Sequence, residues 1–172
     1  MAVDALRQFG VTAVRLKLIG TDTNLIYRVW SEKGRQFALR IANPAWRGVD
    51  SAVSEAMWLD ALAHDTDIPV PQMWRTPAGE AVVFPQAGGV PTGRHAVLMD
   101  WLPGVLLGKR LTAKNVTKMG ELFAKLHQHG ANWQPPEGFT SKKFDQYLSR
   151  GEENALFAKA SLAAYDAQTA VT

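Results

Sequence analysis

Residues 20–24, Gly20-Thr21-Asp22-Thr23-Asn24, are all small or polar, and they separate two segments rich in strand-forming residues. A turn of that kind lets backbone N–H groups approach phosphate oxygens, and the Thr21 and Thr23 hydroxyls add donors. Asp22 suits that chemistry only with its carboxylate turned away. Ordinary hairpin turns favour the same residue types, so the turn by itself decides nothing. Further along, Phe37-Ala38-Leu39-Arg40 sets one cation among apolar residues. Arg40 shares a strand face with Ala38, and an arginine on a buried strand face needs an anionic partner. Glu55 is the candidate, because helical spacing places it on one face with Trp58, Leu59 and Leu62. Such a pair would aim a planar guanidinium fork at phosphates. The bland alternative leaves Arg40 on a solvated strand edge and Glu55 on a helix surface; the combination at this spacing favours the functional reading.

The elements that must position these residues can be read from periodicity. Residues 3–9 have helical spacing in Val3, Leu6 and Phe9. From Val14 the period becomes two, with Val14, Leu16 and Leu18 alternating with Arg15 and Lys17, which predicts a half-buried strand. Residues 25–30 are apolar on both faces, which suits a central strand, and Lys33-Gly34 marks a hairpin turn. In the third strand Phe37, Leu39 and Ile41 face one way and Ala38 and Arg40 the other. Asp50 or Ser51 can cap a helix running to about His64, with Ala52, Ala56, Leu59 and Ala63 as its stripe. Ile68-Pro69-Val70-Pro71 cannot continue that helix and reads as an extended connector. Two more strand signals follow at residues 80–84 and 95–101.

Beyond Pro103-Gly104 the pattern is helical: Val116, Met119, Phe123 and Leu126 recur on one face. His129-Gly130 reads as the end of that helix, with Gly130 as its C-cap. Further helical segments are predicted at residues 143–150 and 152–167. The fold class expected is therefore α+β: a small lobe of five antiparallel strands and one helix, then the first helices of a truncated α-helical lobe. The division expected is residues 1–101 as the small lobe, 102–109 as a linker and 110–172 as part of the helical lobe.

Composition narrows the partners. The 172 residues are 47% hydrophobic, enough for a real core, and contain no cysteine, which fits a reducing cytosol. The N-terminus lacks a signal-peptide pattern, and no apolar run approaches the roughly 18 residues of a membrane span. The net charge of +3 is dispersed, with Lys109-Arg110 and Lys142-Lys143 as the only adjacent basic pairs. No nucleic-acid or membrane partner is expected, and a cytoplasmic protein meeting a small anionic ligand is. His127 and His129 read as helix-end residues on different sides, and the scattered tryptophans read mostly as core or lobe-interface residues.

The ordered set of motifs resembles the aminoglycoside phosphotransferase family, the kinase-like group that also holds choline kinases and related small-molecule kinases. Residues 18–29 resemble its phosphate-binding hairpin, and Phe37-Ala38-Leu39-Arg40 resembles the kinase strand Val-Ala-Ile-Lys with arginine for lysine. Glu55 matches the helix glutamate that pairs with that cation, and residues 96–104 resemble the hinge, where backbone groups of Met99, Asp100 and Trp101 would meet adenine. The resemblance implies ATP with Mg2+ as cofactors, a small-molecule hydroxyl as acceptor, and Gly20, Thr21, Asp22, Thr23, Asn24, Ala38, Arg40, Glu55, Met99, Asp100 and Trp101 as the nucleotide site. It also shows departures. Gly20 stands without the further glycines of the protein-kinase loop. The family's His-Gly-Asp catalytic loop is not found; His129-Gly130-Ala131-Asn132 puts alanine where the base would stand. No catalytic and no metal residue is therefore assigned. The expectation is the ATP-binding portion of a small-molecule kinase, not catalytic alone, whose exposed truncated face could favour self-association. The alternative is a non-catalytic module that binds nucleotide or a protein.

Overall fold

A computed structural model describes residues 1–21, 23–43, 48–89 and 93–141. The predicted segments at 143–150 and 152–167 lie outside the described residues. Three strands follow a short helix: α1 (Ala2–Gln8), then β1 (Ala13–Gly20), β2 (Asn24–Ser31) and β3 (Gln36–Ala42). A long helix α2 (Val49–Asp65), a two-residue strand β4 (Met73–Trp74), β5 (Ala96–Asp100), a 3-10 turn (Leu107–Lys109) and α3 (Ala113–Asn132) complete the described elements. The sheet is antiparallel throughout, in the order β1-β2-β3-β5-β4. The kinase-like small lobe expected from the sequence, five strands and a following helical segment, is the fold observed.

Alternation on β3 builds the two sides of the sheet. Phe37, Leu39 and Ile41 are buried with Val29, Ala96 and Leu98, and Ala5, Leu6 and Phe9 of α1 and its C-cap close over them. On the other side Val97 packs with Ala52 and Ala56 of α2, joined by Met73, Ala81, Leu59 and Met99. The β2–β3 turn needs Gly34, whose φ of +75° suits a residue without a Cβ. Asp4 fastens α1 to the rest. Its carboxylate accepts the Gln86 N–H at 2.8 Å, Arg7 Nη2 at 2.7 Å and Gln8 Nε2 at 2.9 Å. The Gln86 bond, then Arg7, holds its pKa down to about 2.

The structure corrects several expectations. Residues 80–84 form no strand: Val83 makes a single bridge to Ala96, and Met73–Trp74 is the fourth strand instead. Pro85 lies just beyond, and proline has no N–H to extend a ladder. On β1, Val14 and Leu18 are exposed while Leu16 alone of the three turns inward, because register shifts flank the strand and it lies at the sheet's edge. Helix α2 starts earlier than expected, with Gly48 as N-cap and no side-chain cap, so neither Asp50 nor Ser51 plays that part. Its stripe ends in buried Leu62, and Ala63 is exposed. Gly130 is no C-cap either: α3 runs through it to Asn132, with Trp133 as C-cap. Of the helical repeat in α3, Val116 and Phe123 are exposed.

Candidate functional site

Gly20 closes β1 and Asn24 opens β2, so the predicted turn is the tip of the first hairpin; Asp22 lies outside the described residues. The Asn24 side chain organises this tip. Its Nδ2 donates to Thr23 Oγ1 at 3.3 Å, and its Oδ1 accepts the Asn43 N–H at 3.4 Å, tying the hairpin to the end of β3. Thr21, Thr23 and Asn24 line a cavity of about 330 Å³ together with Asn43 and Arg94. Arg94, whose Nη1 reaches the Ala42 carbonyl at 3.5 Å, is a second cation near the tip that no sequence signal marks.

Strand register carries the site inward. Ile26, Arg40 and Val97 form one row across β2, β3 and β5, and Arg28, Ala38 and Met99 form the next but one. Arg40 meets Glu55 of α2 two-on-two: Nη1 donates to Oε1 at 2.9 Å and Nη2 to Oε2. Their side chains are 19% and 26% exposed, so the pair is shielded but still open on one side. This fork-on-fork geometry fixes the guanidinium plane as well as its position. His95, buried immediately before β5, has its pKa pushed below the ordinary imidazole value by burial and, secondarily, by the Arg40 charge.

Met99 and Asp100 end β5, and Trp101 follows them. The Asp100 N–H donates to Gln72 O at 3.0 Å and the Trp101 N–H to Gln36 O at 3.1 Å, so both donors are used within the sheet. The Asp100 carboxylate, opposite Phe37 in register, accepts from Arg35 Nη2 at 3.0 Å. It is thereby engaged on the side away from Arg40. Arg28 lies 4.3 Å from the Trp101 ring centroid and 4.8 Å from that of Trp30, and it donates to Gln36 Oε1 from Nε at 3.1 Å and Nη2 at 2.5 Å. Arg15 covers Trp30 as well, at 4.6 Å. This alternating stack of cations and rings borders Trp101 and the end of β5 and is missed by reading the tryptophans as scattered. The signal was available, since Arg28 and Trp30 are two apart on one strand and share a face.

The outer side of α2 rests on α3 and the chain after it. The Thr140 N–H donates to Ser54 Oγ at 2.8 Å, Lys125 pairs with Asp67 at 2.8 Å, and His129 lies between Trp58 and Asp65. Asp65 has its pKa lowered by hydrogen bonds from His64 and then His129, and Asp67 by Lys125. Reading His129 as a helix-end residue missed this role. It sits in the last turn of α3, but its ring is only 8% exposed.

The phosphotransferase enzyme family matches residues 17–170. The chain belongs to that family. Every residue of the candidate site falls within the phosphotransferase match, including the hairpin tip, Arg40, Glu55 and residues 99–101. Solved structures carry the same fold. A microcompartment-associated aminopropanol kinase is 30% identical, with a TM-score of 0.71 over 84% of this chain and 44% of that one. The amicoumacin kinase hAmiN, in complex with AMP-PNP, Ca2+ and Ami, is 15% identical, with a TM-score of 0.68 over 80% of this chain and 41% of that one. The chain thus spans less than half the length of either kinase. No curated protein sequence matches it. Among the described residues no group of three or more histidines, cysteines or carboxylates is placed to hold a metal, and no helix is long and apolar enough to cross a membrane.

Proposed function

We propose that this chain is the nucleotide-binding part of a phosphotransferase that moves the γ-phosphate of ATP to a hydroxyl group of a small molecule. Residues 1–101 form the nucleotide lobe in this reading, 102–109 the linker and 110–172 the beginning of the helical part. The observation that carries it is the two-on-two Arg40–Glu55 pair, on the sheet side that also presents Ala38 and Met99. Family membership supports the reaction class, and the hAmiN complex with AMP-PNP supports a nucleotide as the ligand.

The residues fit such a ligand. Ala38 has no side chain beyond Cβ to fill the half-covered sheet face, so a planar base can lie against it beside Met99. With the Asp100 and Trp101 N–H groups already used, the base would meet carbonyls of the hinge and the backbone that follows. Arg40 would contact phosphate oxygens, and the backbone at Gly20, Thr21, Asp22, Thr23 and Asn24 would cover them. Mg2+ would come with the nucleotide, carried by its phosphates, since no cluster of described residues is placed to hold it. We assign binding and orientation of nucleotide to this chain and assign to none of its described residues the base that takes the hydroxyl proton. A cytoplasmic location is part of the proposal, on the absence of cysteine.

Titration of the chain with ATP, with and without Mg2+, tests the reading. Arg40→Ala should weaken binding by at least about tenfold, since a charge-assisted contact to phosphate is lost. Equal affinity of the wild type and Arg40→Ala would reject the site.

A further inference from the structure

The helix that presents Glu55 is held on its outer side by one imidazole. Trp58 Nε1 donates to His129 Nδ1 at 3.3 Å, and His129 Nε2 lies 3.0 Å from Asp65 Oδ2. The ring is 8% exposed and stacks on Trp133, with centroids 6.0 Å apart and planes 24° from parallel. An indole N–H can only donate, so Nδ1 must accept; a carboxylate can only accept, so Nε2 must carry the proton. A single species, the neutral Nε2–H tautomer, satisfies both bonds.

The spacing of its partners gives this strut its consequence. Trp58 follows Glu55 by three residues and shares its helix face, and Asp65 is the last residue of α2, two turns beyond Trp58. One ring therefore grips α2 at two levels, which restrains both its rotation and its slide along α3. The neighbouring Lys125–Asp67 pair is largely exposed, at 52% and 78%, and such pairs restrain little. Rotation of α2 is the motion that would carry the Glu55 carboxylate out of line with the Arg40 fork.

We infer that His129 is a positioning residue: from α3 it sets the rotation of α2 at which Glu55 holds Arg40 in the plane that phosphates require. The inference rests on the nucleotide reading above for its functional consequence, and on the geometry of His129, Trp58 and Asp65 for its structural one.

The test uses the full chain and ATP with Mg2+, well below the melting temperature. His129→Ala should weaken ATP binding about five- to tenfold, a coupling of ordinary size between distant sites. His129→Gln, whose amide can both accept from Trp58 and donate to Asp65, should recover most of it. In a Glu55→Gln background His129→Ala should change ATP affinity by less than about twofold, because the two act in series. If His129→Ala does not fold, Trp58→Phe removes one of the two bonds while keeping a ring, and about a two- to threefold loss is expected. A His129→Ala protein that binds ATP like the wild type, or the same loss with and without Glu55, overturns the inference. If the wild type binds no ATP, the nucleotide reading falls, and amide hydrogen exchange decides the positioning by itself. Faster exchange across residues 52–58 in His129→Ala, restored in His129→Gln, upholds it, and unchanged exchange overturns it.

Discussion

Arg40 and Glu55 stand on different elements, the third strand and the long helix, yet meet through both terminal guanidinium nitrogens and both carboxylate oxygens. Helix and strand are thereby keyed to each other on the sheet side that also presents Ala38 and Met99. Glu55→Gln keeps the shape and removes the charge, leaving a shielded guanidinium with a weaker partner. With side-chain exposures of 19% and 26%, the expected loss is about 1–2 kcal/mol, between the ranges for exposed and buried pairs. Urea unfolding of the two proteins checks it, and a loss below the error of the fit would mean that the pair orients without stabilising.

Leu39 lies between Ala38 and Arg40 but on the opposite side of the sheet, fully buried among Val29, Leu98 and the α1 residues. Leu39→Ala removes three buried carbons beneath the strand that carries Arg40 and should destabilise the fold by about 2–5 kcal/mol, depending on how far the core collapses. Thermal unfolding measures this. If ATP affinity at low temperature falls with stability, strand β3 itself has shifted; if it holds, the two faces are energetically separate.

The comparison of sequence and structure divides along a physical line. Strand alternation at 37–41 and the Arg40–Glu55 pairing were legible because each follows from fixed local periods, two for the strand and 3.6 for the helix. The hairpin turn at Gly34 was legible because only a few residues accept its backbone angles. The exposed positions of Val14 and Leu18 were not, since an edge strand with register shifts loses the alternation that a central strand keeps. Met73–Trp74 was missed because two residues give no period at all; pairing with β5 is what makes them a strand. His129 was missed for a different reason. Its partners Trp58 and Asp65 lie on another helix, and no spacing within α3 points to them.

Asp4 gives the fold an acid-sensitive fastening. Its pKa is held down to about 2 by the Gln86 N–H and Arg7, against an ordinary value of 3.8. A depressed carboxylate stabilises the fold above its unfolded pKa, and that contribution disappears as pH falls from about 4 to about 2. Asp4→Asn should therefore reduce the acid sensitivity of unfolding in that window while lowering stability at pH 7. Denaturant midpoints at pH 7, 4 and 2.5 for both proteins check this; parallel profiles would show that Asp4 is not the group responsible.

His95 acts in the same direction at higher pH, but by disfavouring a charged form where Asp4 favours one. It is buried immediately before β5, and burial followed by the nearby Arg40 charge disfavours its protonated form. The unfolded chain binds a proton near the ordinary value of 6.5, whereas the folded chain refuses it until lower pH. The unfolded state then holds more protons, so stability rises with pH through this window. The contribution is complete above 6.5 and is lost as pH falls toward the folded pKa. Nuclear magnetic resonance of the imidazole should show His95 titrating below the ordinary value of 6.5. Arg40→Ala should move the His95 midpoint upward, because it removes the second cause and leaves the first. An unmoved midpoint would place the whole effect in burial, and a downward one would mean that Arg40 does not face His95 at all.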